Sequence, residues 1–107
     1  MNKGVDLKGK HTSESIDRID RVIHGPARLM IMTNLYVVEG GDMVFLKDQT
    51  QLSWGNLSVQ VRRLEEAGYV QVEKEFVEKK PHTVVSLTPE GKLAFEAYRD
   101  HIKEILK

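Results

Sequence analysis

The chain has 107 residues, which is the size of one ordinary domain with a single hydrophobic core. Apolar residues make up 40% of it and charged residues 30%, as in a folded domain rather than a disordered chain. Cysteine is absent, which excludes disulfides, thiolate metal sites and cysteine nucleophiles. The formal net charge is zero. This weighs slightly against nucleic-acid binding, but a basic face can still be balanced by an acidic one.

Residues 1–12 contain Gly and Lys and show no periodic pattern, so we predict a flexible N-terminal arm ahead of a single domain over residues 13–107. No apolar run approaches the roughly 20 residues needed to cross a membrane. The N-terminus also lacks the apolar stretch of a signal peptide. We therefore expect a cytoplasmic protein with no membrane partner.

Two helices are predicted in the first part of the domain. Ser13 or Ser15 can cap the first, which carries an apolar stripe of Ile16, Ile19, Val22 and Ile23. His24-Gly25-Pro26 ends this helix and begins the second. The second is predicted to be the most buried helix, with Leu29, Ile31, Met32, Leu35 and Val38 as its apolar residues.

Two shorter helices follow a break at Glu39-Gly40-Gly41. Asp42 can cap the sequence DMVFLKDQTQ, and Ser53 can cap the next helix after a tight connection. In that next helix Leu57, Val61 and Leu64 share one face. Gly68 is the predicted left-handed terminator.

A hairpin and a final helix complete the chain. YVQVEKEF alternates as a strand does, EKKPHT is predicted as a polar turn containing Pro81, and TVVSLT as the return strand. Thr88 and Pro89 start the last helix, whose apolar residues are Leu93, Ala94, Ala97, Tyr98, Ile102, Ile105 and Leu106. The predicted fold class is mainly α with a small β-hairpin.

Two short helices joined by a tight turn and followed at once by a hairpin form a winged helix-turn-helix. The stretch LSWGNLSVQVRRLEEAGYV (52–70), a polar hairpin and then SLTPEGKLAF (86–95) resemble the MarR/ArsR-type winged-helix transcriptional regulators, most of all the small archaeal-type group. The resemblance covers about Ile23 to the C-terminus. It implies that the helix at about 53–67 enters the DNA major groove, that a wing at about 73–83 touches the backbone or minor groove, and that the flanking helices form a homodimer. Gln60 stands where the family often has His, and Trp54 where a small or charged residue is common.

The outward face of the helix at 53–67 carries groups that can read DNA. Arg can bind guanine, Asn or Gln can bind adenine, and an outward valine can contact a thymine methyl group. The helix N-terminus can hold a phosphate. The candidate DNA-binding residues here are Ser53, Trp54, Gly55, Asn56, Ser58, Val59, Gln60, Arg62 and Arg63.

Each of these assignments has an alternative. The polar face could be merely solvated, with Gly55 serving tight helix packing. Arg62 and Arg63 suit bases and phosphates equally, and Arg63 could instead pair with Glu66 or Glu39. We expect Trp54 to pack partly against the protein, with DNA contact as the lesser alternative.

The predicted wing carries Lys74, Lys79, Lys80 and His82, which suit salt-dependent phosphate contact. The alternative is a solvated tip whose lysines protect an exposed strand edge. His11, His24, His82 and His101 are scattered, which is typical of surface or capping histidines, so no metal or other cofactor is expected. No catalytic set is visible, and we do not expect an enzyme.

The first and last helices carry more apolar residues than one small core needs. The candidate dimer-interface residues are Ile16, Ile19, Ile23, Tyr98, Ile102, Ile105 and Leu106. Alternatively, they only close the core of the monomer. The resulting hypothesis is a homodimeric, sequence-specific regulator of transcription, a repressor, that binds double-stranded DNA. The competing hypothesis is a winged-helix module for protein–protein assembly. MarR-type relatives often bind small aromatic effectors, but nothing in this sequence selects one.

Overall fold

Helices and a small sheet alternate along the part of the chain that the computed structural model describes, residues 16–107. The elements are α1 (Pro26–Val38), β1 (Gly40–Asp42), α2 (Met43–Thr50), α3 (Trp54–Glu66), β2 (Val70–Val77), β3 (Lys80–Leu87) and α4 (Pro89–Ile105). This is the predicted winged helix-turn-helix, mostly helical, with a three-stranded sheet. None of the helices in residues 16–107 is long and apolar enough to cross a bilayer. The predicted arm, the cap at Ser13 or Ser15, and His11 lie outside the described residues.

The prediction that the first helix continues to Ile23 is wrong: within the described residues it ends at residue 17, and residues 18–25 are turns, bends and irregular backbone. Asp20 explains the difference. Its Oδ1 accepts hydrogen bonds from the amides of Val22 and Ile23, at 2.9 and 3.2 Å. An aspartate that binds nearby amides in this way offers the backbone a turn in place of a helix. Ile23 still points inward and is fully buried.

The two helices of the helix-turn-helix begin where their capping residues predict. Asp42 Oδ1 accepts from the amide of Phe45 at 2.8 Å, and Ser53 Oγ accepts from the amide of Asn56 at 3.1 Å. The inward stripe of α3 is confirmed, since Leu57, Val61 and Leu64 are all buried. Gly68 follows with φ +82°, the predicted left-handed conformation.

The sheet has the order β1-β3-β2 and is antiparallel throughout. Strand β1 was not predicted; its three residues pair with residues 84–86 of β3. The predicted turn at 78–83 is shorter in the structure, where Glu78 and Lys79 alone connect the strands with φ values of 53° and 67°. Two left-handed residues suit the twist of a tight hairpin. Pro81 therefore lies in β3, opposite Phe76.

The core lies between the helices and one face of the sheet. Helix α1 contributes Ile31, Met32 and Leu35 to it, whereas Leu29 is only partly buried and Val38 is exposed. The remaining buried apolar residues come from every other helix, both long strands and the turn before α1: Ile23, Leu46, Leu57, Val61, Leu64, Val70, Val85, Phe95 and Tyr98. The apolar face of α3 is therefore buried in this single core, and its opposite face is exposed to solvent.

The base of the wing is fixed to the start of α4. Thr88 caps α4 by accepting from the amide of Gly91 at 2.9 Å, and its hydroxyl donates to the carbonyl of Gly68 at 2.6 Å. The amide of Thr88 donates to the carbonyl of Tyr69 at 3.0 Å. The Thr-x-x-Gly sequence at 88–91 therefore caps a helix and also holds the connection between α3 and β2.

Candidate nucleic-acid interface

The outward face of α3 is exposed along its length. Ser53, Gly55, Asn56, Ser58, Val59, Arg62 and Arg63 are all exposed, and Gln60 is half-buried at the flank. The cap at Ser53 satisfies the amide of Asn56, while the other amides of the first turn have no partner within the helix. The structure thus brings the predicted residues of α3 together on one surface with a polar N-terminus.

Gly55 does not serve tight helix packing. A Cβ at this position would have no atom within 4 Å outside its own helical turn. Glycine in the first turn costs helix stability relative to alanine without any packing gain in this chain. The space beside Gly55 is therefore open to a backbone that approaches from outside.

Gln60 and Asn56 are held by hydrogen bonds rather than left free. Arg28 of α1 donates from Nη1 to Gln60 Oε1 at 2.8 Å. Gln60 Nε2 lies 3.0 Å from Asn56 Oδ1, one helical turn earlier. Sequence reasoning missed Arg28, because nothing local links residues 32 positions apart.

Arg62 and Arg63 carry exposed guanidinium groups. Among residues 16–107, no ion pair joins Arg63 to Glu66 or Glu39, the two partners considered for it. Arg63 borders an open groove with Arg21, Arg28 and Glu66. Arg21 adds a basic group beside α3 that the sequence pattern did not indicate.

Trp54 is 51% exposed, so it packs only in part, as its position on the helix predicts. The ammonium group of Lys47, on α2, lies 5.8 Å from the centre of the indole ring. This is within the range of a cation–π contact. Lys47 thereby places a positive charge near the start of α3, and it too was absent from the predicted set.

The lysines of the wing and its histidine have different surroundings. Lys74, Lys79 and Lys80 are exposed on the hairpin. His82 is half-buried, and its Nδ1 lies 3.3 Å from Asp42 Oδ2. Its contact is with the N-terminal cap of α2, so the free basic groups of the wing are the three lysines.

The seven candidate interface residues fall into two groups. Ile23 and Tyr98 are buried in the core of the single chain, and Tyr98 Oη lies 2.8 Å from His24 Nδ1. They offer no surface to a second subunit in this conformation. Ile16 and Leu106 are exposed, while Ile19, Ile102 and Ile105 are half-buried.

Metal-binding groups do not cluster in the described part of the chain. Residues 16–107 contain no group of three or more His, Asp or Glu side chains placed to hold a metal ion.

Residues 27–106 match the family model described as a winged helix DNA-binding domain. The chain belongs to this family. An uncharacterized protein of Methanocaldococcus jannaschii is 29% identical over 87 residues, which cover 81% of this chain and 95% of that protein. The family is one of DNA-binding regulators rather than of enzymes.

Solved structures agree with the family assignment. A transcriptional regulator homologue from Pyrococcus horikoshii superimposes with a TM-score of 0.79 at 27% identity, over 84% of this chain and 91% of that one. A MarR-family regulator from Silicibacter pomeroyi gives a TM-score of 0.64 at 18% identity, over 85% of this chain and 60% of that one. The fold of this winged helix is therefore that of the MarR-like regulators.

Proposed function

We propose that this protein is a homodimeric transcriptional repressor that binds specific double-stranded DNA sequences. Helix α3 occupies the major groove, and the β2–β3 wing contacts the neighbouring backbone or minor groove. The observation that carries the proposal is the outward face of α3. It presents amide, hydroxyl and guanidinium groups to the outside, while the opposite face is buried. On the second helix of a helix-turn-helix, such a face is where bases are read.

The charge around α3 supports contact with a nucleic acid despite the zero net charge of the chain. Arg62 and Arg63 lie on the helix, and Lys79 and Lys80 lie at the end of the wing. Basic groups on both elements would meet phosphates on either side of the groove. Each neutralised phosphate releases counterions, so the affinity should fall steeply with salt.

The exposed end of α4 supports the dimer. Phe95 and Tyr98 are buried on its inner face, Ile102 is half-buried one turn later, and Leu106 is 76% exposed. The apolar stripe thus continues past the core of its own chain. A second copy packed there by two-fold symmetry would cover it. Two copies of α3 could then reach successive major grooves about 34 Å apart on a palindromic site.

Repression is the mode of action we propose, because two winged helices bound side by side on a promoter would occupy sequence that the transcription machinery needs.

A titration with fluorescent duplex DNA tests the proposal. The wild-type protein is titrated into genomic fragments and random duplexes at two salt concentrations, and the bound fraction is sequenced. We expect tight binding to a subset of fragments, lost steeply as salt rises. The variant Arg62→Ala plus Arg63→Ala should bind most DNA more weakly and with a smaller salt slope. Lys92→Ala plus Lys103→Ala removes the same charge from exposed sites on α4 and serves as the matched control.

The second candidate function is a module for protein–protein assembly. The observation that favours it is the edge strand β2, where Phe76 is 74% exposed and Val77 is also exposed. An open strand with apolar side chains can pair with another protein. Absence of binding to either DNA pool at low salt would favour this function and exclude the first.

A further inference from the structure

Three polar side chains connect α1 to the base-reading face of α3; we call Arg28, Gln60 and Asn56 the polar triad. Arg28 Nη1 donates to Gln60 Oε1 at 2.8 Å, and Gln60 Nε2 donates to Asn56 Oδ1 at 3.0 Å. Arg28 is itself held in place, because its Nε donates to the carbonyl of Val22 and its Nη2 to that of Arg21. The triad thus starts at a fixed guanidinium and ends at an exposed amide.

The guanidinium group of Arg28 determines which way the side-chain amides of Gln60 and Asn56 are turned. A guanidinium has only donors. Gln60 must therefore turn its carbonyl oxygen towards Arg28, which leaves its NH₂ group for Asn56. Asn56 in turn presents its own carbonyl oxygen to Gln60. The NH₂ group of Asn56 is then left to face outward, in the first turn of α3.

We infer that Arg28 and Gln60 are positioning residues that set the hydrogen-bond polarity of Asn56, and thereby the base preferred at one position of the operator. The inference rests on the proposed function, since it concerns what α3 reads. In the major groove guanine offers only acceptors, cytosine offers only a donor, and adenine offers both. A donor at Asn56 suits guanine, thymine or adenine and opposes cytosine.

The alternative is that the triad only joins α1 to α3. The two interpretations differ in what they predict when the three side chains stay connected but the hydrogen bond between residues 60 and 56 changes direction. The substitution Gln60→Glu makes that change. The new carboxylate still accepts from Arg28, but it has no hydrogen to give to Asn56. Asn56 must then turn its NH₂ group towards that carboxylate, so that its carbonyl oxygen faces outward and accepts from cytosine N4 or adenine N6.

The experiment measures the preference for guanine over cytosine at each operator position, by selection from random duplexes and sequencing of the bound DNA. For the wild-type chain, one position should favour guanine over cytosine by roughly tenfold. In Gln60→Glu that ratio should fall below one at the same position, and the other positions should keep theirs. Total affinity should also fall, because a negative charge is added near phosphates.

Two controls isolate the triad. Gln51→Glu makes the same chemical change at an exposed position just before α3 that is outside the candidate DNA-binding set, and it should reverse no ratio. Asn56→Ala, made in both the wild-type and the Gln60→Glu background, should abolish the preference at that position. An unchanged preference after Asn56→Ala would overturn the inference.

A DNA-free measurement separates the inference from the proposed function. By NMR, the side-chain NH₂ protons of Asn56 should exchange quickly with water in the wild type and more slowly in Gln60→Glu, where they gain an acceptor. Equal exchange in the two proteins, or an unreversed ratio in Gln60→Glu, would overturn the inference and leave the DNA-binding function standing. Failure of the wild type to select any DNA would overturn both.

A second variant covers the case in which Gln60→Glu does not fold. Arg28→Met keeps an unbranched, apolar stem and removes the guanidinium donors, so Gln60 and Asn56 can turn freely. The ratio of guanine to cytosine at the same position should then move towards one, while preferences elsewhere persist. A ratio that stays at the wild-type value in this variant would overturn the inference.

Discussion

The backbone of Gly91, in the first turn of α4, lies directly against the carbonyl group of Tyr69. A Cβ added at position 91 would lie 2.0 Å from the Tyr69 oxygen and 2.8 Å from its carbonyl carbon. The obstacle is backbone, which cannot turn aside as a side chain can. This contact, with the hydrogen bond from the Thr88 amide to the same oxygen, joins the start of α4 to the start of the wing.

Gly91→Ala should therefore destabilise the protein severely. Either α4 must move away from Tyr69 or the wing must shift, and we expect a loss of about 3 kcal/mol in the free energy of unfolding. Urea denaturation followed by circular dichroism measures it. A variant as stable as the wild type would show that the two segments are not in contact.

The same substitution at Gly55 should have the opposite effect on stability. Because the space beside Gly55 is open, alanine should raise the free energy of unfolding by up to about 1 kcal/mol. The added methyl group stands where a phosphate would approach, so the affinity for DNA should fall. Gly55 and Gly91 thus serve as mutual controls. An affinity unaffected by Gly55→Ala would place the phosphate elsewhere.

Leu106→Glu should separate the proposed dimer without unfolding the chain. The side chain is 76% exposed in the single chain, so a carboxylate there costs little until a partner covers it. Sedimentation should show a dimer for the wild type and a monomer for the variant. Leu93→Glu is the matched control, because Leu93 is 67% exposed on another face of the same helix. Ile102→Glu is a less clear test, since Ile102 packs against the core.

Residues that favour positive φ values at the tip of the wing should stabilise the protein. Glu78 and Lys79 both have positive φ, which L-residues adopt only at a cost. Glu78→Asn plus Lys79→Gly should raise the free energy of unfolding by about 1 kcal/mol. The pair removes one acidic and one basic side chain, so the net charge of the tip stays the same and the salt dependence of DNA binding should change little. Lys80→Gln removes a charge outside the turn, and it should weaken binding without the gain in stability.

Alkaline unfolding should depend on Tyr69. Burial, together with a hydrogen bond to Asp20 and the negative charge of that residue, raises the pKa of Tyr69 from 10.0 to about 12. The folded state thus keeps a proton that the unfolded chain loses first. The stability from this group is complete below pH 10 and disappears as the pH rises from 10.0 to about 12. Thermal unfolding measured across this range should show a flatter decline for Tyr69→Phe than for the wild type.

Helix α3 was predictable because its signals are local. A capping serine, three leucine or valine residues on one face, and a terminal glycine all lie within 16 residues of each other, from Ser53 to Gly68. The exposed face follows from the buried one by geometry alone. The burial of Leu57, Val61 and Leu64 confirms the predicted apolar stripe, and the residues predicted to point outward are exposed.

Strand β1 and the turn at 18–25 could not be predicted in this way. The sequence Gly40-Gly41-Asp42 has no strand-forming side chain, and it is extended only because β3 supplies a partner more than 40 residues away. Ile19, Val22 and Ile23 do face the core, but the side chain of Asp20 binds the amides that a helix would need. Strand β1 therefore depends on pairing with residues distant in sequence, and the turn at 18–25 depends on the hydrogen bonds of one aspartate side chain. A pattern of apolar residues shows neither.

The contact between Asp42 and His82 bears on the entropy of binding. One carboxylate caps α2 and also meets β3 of the wing, while β1 extends the sheet into the helix-turn-helix. The hairpin is therefore joined to the helices before any partner arrives. A partner that touches α3 and the wing together meets two surfaces with a fixed separation, so little ordering entropy is lost when both engage.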